Sequence, residues 1–177
     1  MTRVLGAVLA GGAARRFGTD KALAVLDGRR LIDHAIDTLA RQGVAIVLCG
    51  RALPGFASVA DRPAAGLGPL GGLAGALHAA RLDGHDRVLS IPCDAPRLPD
   101  DLLARLSAGG GESAAFLRDC PVVGLWPAAS GDALEAHLAA GGRSMRGWIA
   151  RIGAIAVELP GGVLNINTPD DLRRAAG

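Results

Sequence analysis

Only three cysteines occur among the 177 residues. Cys49, Cys93 and Cys120 are odd in number and show no C-x-x-C spacing, which excludes a disulfide framework and a zinc site and leaves a reducing compartment as the expected home. Charge of one sign is lacking too. Nineteen basic against seventeen acidic side chains leave a formal charge of +2, too little to hold nucleic acid or a membrane surface by net charge, so any anion site must be local. No apolar run approaches the ~18 residues that a membrane span needs. Arg3 followed by VLGAVLAGGAA has the outline of a signal peptide. The run is weak in Leu and Phe, however, and its arginine pair follows the run, whereas an export signal would place it ahead. A cytoplasmic protein is therefore expected. Low-complexity tracts, linkers and repeats are absent as well, because the 26 Gly and 10 Pro are spread along the chain, as turns between regular elements would spread them.

What is present is a chain with 50% hydrophobic residues and a mean hydropathy of +0.31, which excludes intrinsic disorder and suffices for one compact domain with a real core. Val4 to Leu9 is a short apolar run ended by glycines, the pattern of a fully buried parallel strand. Leu31, Ile32, Ala35, Ile36 and Leu39 recur at helical spacing and Gly43 stops them. The alternation continues. AIVLC (Ala45 to Cys49) predicts a strand, Leu70 to Leu82 a helix, VLSI (Val88 to Ile91) a strand, and Pro99 to Leu106 a helix with Asp100 and Asp101 in its first turn. Such alternation specifies an α/β fold with a mostly parallel sheet covered on both faces. Beyond Ser107 the pattern changes: the two apolar runs of AAFLRDCPVVGLWP lie too close for a parallel crossover and predict an antiparallel hairpin that completes a mixed sheet. Short helices are expected at Asp132 to Ala140 and Ser144 to Ile152, then a strand at Ala154 to Leu159. A last helix begins at Pro169, with Thr168 as N-cap and Asp170 and Asp171 against its dipole.

Ligands of open parallel sheets bind at the carboxyl ends of strands, so the residues after each strand are read first. AGGAARRFGTDK follows the first strand. It is not a P-loop, since Thr19 and Asp20 separate Gly18 from Lys21, and it has no G-x-G of a dinucleotide site. Its glycines let backbone N–H groups close on an anion, while Arg15, Arg16 and Lys21 supply full charges; the bland alternative is a surface turn with solvated arginines. Asp94, between Pro92 and Pro96, follows the VLSI strand. Alone it reads equally well as a turn residue, but beside a polyphosphate loop it suits Mg²⁺, which takes one or two carboxylates and completes its shell with water and phosphate. Asp61, before the glycine-rich RPAAGLGPLGG, is a second candidate at the same edge. Cys93 adjoins Asp94 yet has no neighbouring base to activate it and reads as a buried strand residue. His34, His78, His85 and His137 lack metal-pair spacings and receive no role. Asn165 and Asn167 lie two apart in an extended segment, so they either share a face that offers amide groups or belong to a turn.

LAGGAARRFGTDK resembles the signature L-A-G-G-x-x-x-R-x-G-x-D-K of nucleotidyltransferases with a Rossmann-like sheet, and specifically of the bacterial molybdenum cofactor guanylyltransferases. GPLGGL, IPCDAPRLPDDL, PVVGLWP, GRSMRGW and NINTPDDL resemble family segments in the same order, over nearly the whole chain. The resemblance implies a Rossmann-like three-layer α/β sandwich and a single domain over residues 1–177, with nucleotide held by about 1–107 and acceptor by about 108–177. It implies transfer of GMP from GTP to the terminal phosphate of molybdopterin or its molybdenum form, with Mg²⁺ as cofactor and pyrophosphate released. Leu9, Ala10, Gly11, Gly12, Lys21, Asp61 and Asp94 would contact the nucleotide, Asp94 the metal, and Arg16, Lys21 and Asp94 would serve catalysis. Arg143, Asn165 and Asn167 are expected at the acceptor. A monomer is expected, in transient contact with proteins that deliver the cofactor and with no nucleic-acid or membrane partner. Leu48 stands where some members carry asparagine, so that contact is not carried over. The alternatives are a cytidylyltransferase for the same pterin, an enzyme for a sugar or polyol phosphate, a nucleotide-binding module without turnover, and a plain structural domain. LAGG, where cytidylyltransferases tend to show LAAG, argues for guanine.

Overall fold

In the computed structural model, which describes residues 2–11 and 20–176, the first apolar run forms β1 (Val4–Leu9). A two-stranded ribbon, β2 (Val25–Leu26) and β3 (Arg29–Arg30), leads into α1 (Leu31–Arg41). Next come β4 (Ala45–Cys49), β5 (Ala57–Val59), α2 (Gly68–Leu82) and β6 (Arg87–Pro92). The later part holds α3 (Leu102–Gly110), the hairpin β7 (Ala115–Leu117) and β8 (Cys120–Pro127), α4 (Gly131–Ala139), α5 (Met145–Ile152), β9 (Ile155–Val157) and α6 (Pro169–Ala175).

Seven strands make one sheet in the order β5, β4, β1, β6, β8, β7, β9. Strands β5, β4, β1 and β6 are parallel, whereas β8 runs antiparallel to both β6 and β7. Side chains alternate across the sheet as strand geometry requires. Val8 joins a core with Ile32, Leu39, Leu102 and Leu106, so α1 and α3 cover one face. Leu5, Ala7 and Leu9 join Leu73, Leu77, Leu134 and Trp148, so α2, α4 and α5 cover the other. The expected three-layer α/β sandwich with a mostly parallel mixed sheet is what forms.

The start of α3 departs furthest from expectation. The predicted helix at Pro99 begins at Leu102 instead, because Gln42 holds the preceding residues as a turn: its amide nitrogen donates to the Asp100 carbonyl (2.9 Å), and its amide oxygen accepts from Leu103 N (2.9 Å). That oxygen takes the capping role, since Asp101 makes no side-chain cap bond. Asp100 and Asp101 therefore precede the helix. The last helix matches its signals, with Thr168 and Asp171 forming a reciprocal capping box.

Candidate active site

Parallel pairing brings the carboxyl ends of β5, β4, β1 and β6 to one edge, and the chain leaves β1 first towards β4 and later returns on the other side as β6. That reversal beside β1 is the crevice where open α/β sheets hold ligands. Gly11 follows β1, Gly50 and Arg51 follow β4, Asp61 lies just past β5, and Asp94 lies just past β6. Leu9 and Ala10 are buried, and Ala10 N donates to the Cys49 carbonyl at 3.1 Å. Here the first loop and the β4 turn touch. A Cβ on Gly50 would lie 2.5 Å from Gly11 Cα, and Gly50 has φ +75°, so glycine is required twice over.

Lys21 opens a single 3-10 turn, Lys21–Leu23, whose N-cap Asp20 accepts from Ala22 N at 3.2 Å. The Lys21 ammonium reaches Asp94 Oδ2 at 2.6 Å and Asn167 Oδ1 at 3.2 Å. Both ends of the chain thus meet at one cation. Two contacts deliver Asn167 there: Ile166 N donates to the Asp94 carbonyl at 2.8 Å, and the Ile166 side chain is buried with Leu26, Leu31 and Ala175. Since β8 is antiparallel to β6, its first residue, Cys120, returns beside Asp94, and its Sγ donates to Asn165 Oδ1 at 3.6 Å. Asn165 and Asn167 flank the buried Ile166, and their side-chain oxygens face Cys120 and Lys21.

The remaining expectations fall as follows. Asp61 Oδ2 accepts from Gly66 N at 3.2 Å, in the glycine-rich segment leading into α2, and lies against Gly71 of α2 itself. Arg143 folds back: its Nη1 donates to the carbonyls of Leu138 (2.6 Å) and Gly142 (2.8 Å), at the end of α4. Leu48 is fully buried in the α1 and α3 layer and does not face the site. Gly12, Arg15 and Arg16 lie outside the described residues. Burial, and then the Asp94 charge, push the Cys93 thiol up to about 11, which disfavours the thiolate at neutral pH.

Sequence reading gave Arg51 and Asp20 no role, yet the Arg51 guanidinium pairs with Asp20 one residue before Lys21. The signal was available, since Arg51 follows a strand end as Asp94 does. No cluster of three or more His, Cys, Asp or Glu side chains suited to a metal occurs among the described residues. A cation here would rest on Asp94 and on substrate oxygens, a hard, oxygen-only set that fits a divalent ion bound through phosphates.

A model of the MobA-like NTP transferase domain matches residues 6–155. The molybdenum cofactor guanylyltransferase of Acidiphilium cryptum is 40% identical over 179 residues, covering 95% of this chain and 91% of that protein. Among solved structures, molybdopterin-guanine dinucleotide biosynthesis protein A of Archaeoglobus fulgidus superposes with a TM-score of 0.79 at 23% identity, covering 97% of this chain and 96% of that one. The 2-C-methyl-D-erythritol 4-phosphate cytidylyltransferase of Thermus thermophilus superposes at 0.73 and 17% identity, covering 99% and 96%. At those identities the superpositions speak to the fold alone, whereas the matched domain model and the 40% identical relative identify the lineage: the chain belongs to the MobA-like NTP transferase family.

Proposed function

We propose that this chain transfers GMP from GTP to the terminal phosphate of molybdopterin or its molybdenum form, with Mg²⁺ as the metal. The observation that carries the reading is the Lys21 to Asp94 pair at 2.6 Å, in the crevice between β1 and β6, in a chain 40% identical to a molybdenum cofactor guanylyltransferase. A phosphate oxygen of the acceptor attacks the α-phosphorus of GTP. The new P–O bond forms as the bond to the bridging oxygen of the β-phosphate breaks, and pyrophosphate leaves with that electron pair. The attacking phosphate is already ionised at neutral pH, so the step needs positioning and charge stabilisation rather than a base.

Lys21 supplies a point charge for the phosphates, and Gly11 supplies a backbone donor. Asp94 would hold Mg²⁺, which when bound neutralises charge on the reacting phosphates. In the free protein Lys21 and Asp94 neutralise each other. Phosphate can therefore take over the ammonium, and a cation the carboxylate, without leaving a buried charge unpaired. Asn165 and Asn167 offer amide groups to the pterin. Arg143 serves its phosphate only by leaving the α4 carbonyls. Lys21 joins the nucleotide part, about 1–107, to the acceptor part, about 108–177.

Pyrophosphate release from the purified chain with molybdopterin and each of GTP, CTP, ATP and UTP tests this. GTP is expected to be preferred, because a site that hydrogen-bonds one base edge leaves groups unpaired with another. Asp94→Asn should keep the fold and lower turnover by ~10²-fold or more, the scale for losing one charge-stabilising group. Equal use of CTP and GTP would overturn the guanine assignment, and full activity of Asp94→Asn would remove Asp94 from the reaction.

A further inference from the structure

Arg51 stands two residues beyond β4, after the turn in which Gly50 packs against Gly11. Its side chain is only 23% exposed. One edge of the guanidinium is used, through Nη2 on the Asp20 carboxylate. Nε is buried and has no hydrogen-bond partner among the described residues. A buried guanidinium N–H gains from an acceptor, and a phosphate oxygen would supply one. Asp20, which holds the other edge, is the residue before Lys21, whose ammonium reaches Asp94 at 2.6 Å. Arg51 thus stands past the carboxyl end of β4, paired with the residue before Lys21.

We infer that Arg51 is a further cationic ligand of the nucleotide's phosphate chain, parked on Asp20 until phosphate oxygens take its place. The guanidinium fork presents donors in a plane that matches two oxygens of one phosphate, which the point charge of Lys21 cannot do. Asp20 serves as a placeholder. It is one residue from Lys21 and 41% exposed, so the carboxylate it gives up to solvent on exchange is readily hydrated. This inference rests on the proposed function, because it concerns how the same crevice grips a nucleoside triphosphate.

Calorimetric titration of the whole chain with Mg²⁺ and, in turn, GTP, inorganic pyrophosphate and guanosine tests it. Arg51→Ala should weaken GTP and pyrophosphate by about tenfold to a hundredfold, the range for one charge-assisted hydrogen bond, and leave guanosine unaffected. Arg51→Lys should recover part of the loss. Asp20→Asn keeps an oxygen for the Ala22 N–H and removes the competing charge, so its affinity for pyrophosphate should equal or exceed that of the unmodified chain. Two outcomes overturn the assignment: pyrophosphate binding unchanged in Arg51→Ala, or an equal loss in Asp20→Asn, which would make Arg51 a brace for the 3-10 turn. If the unmodified chain binds neither GTP nor pyrophosphate, the nucleotidyltransferase reading itself fails, a result distinct from either.

Discussion

At the scale of single residues the thiols make the sharpest expectation. Burial is the first cause in all three cases and lifts Cys49 to about 12 and Cys93 and Cys120 to about 11. Iodoacetamide at neutral pH should leave all three unmodified in the folded protein, read by mass spectrometry. Rapid neutral-pH alkylation of Cys93 would contradict its burial. Stability follows with a definite sign: a thiol whose folded pKa exceeds its unfolded one binds its proton more tightly when folded. The chain is therefore expected to lose stability as pH rises from the ordinary thiol range towards 11. Asp61 and Asp94 could be singled out in the sequence because each stands two residues past a strand end, and Lys21 because it belongs to the basic glycine segment, so local pattern suffices. The bond from Lys21 to Asn167 was not legible, since it joins residues 146 apart and exists only once α6 has docked. Nor could sequence show that Arg143 turns onto the carbonyls of its own preceding helix.

At the scale of elements, α2 shows why glycine spacing mattered. A Cβ on Gly75 would sit 2.2 Å from the Ala60 carbonyl oxygen, so this helix lies against the chain leading into Asp61 with no room to spare. In an exposed helix Gly→Ala gains ~1 kcal/mol from propensity. Here the contact is with backbone and cannot relax cheaply, so Gly75→Ala should instead destabilise by about 1–3 kcal/mol, measured by chemical denaturation. A more stable variant would disprove the close approach. Apolar patterning and capping signals revealed β1, β4, β6 and α1 to α6, because burial on known faces writes itself into spacing. The β2 and β3 ribbon was missed although its Asp27-Gly28 turn, with φ of 51° and 77°, is a hairpin signal. Its strands are two residues long, too short for alternation to register. The start of α3 escaped for a different reason: its cap is Gln42, on another element.

At the scale of the molecule, one sheet separates two apolar layers, and a small third cluster of Leu26, Leu31, Ile166 and Ala175 fastens α6 to the segment after β1. The chain contains no tyrosine and two tryptophans. Both lie fully buried in the same layer, Trp126 donating to Ser90 Oγ at 2.8 Å and Trp148 in a tilted ring contact with His137, centroids 5.9 Å apart. Intrinsic emission is therefore a one-sided optical probe: the layer of α2, α4 and α5 glows, and the layer of α1 and α3 is dark. Far-ultraviolet circular dichroism, which sees helices of both, supplies the missing half. The two layers share every central strand, so the denaturation curves from the two signals are expected to superimpose. An emission change at lower denaturant than the dichroic one would mean that the bright layer peels from the sheet while the dark one still holds.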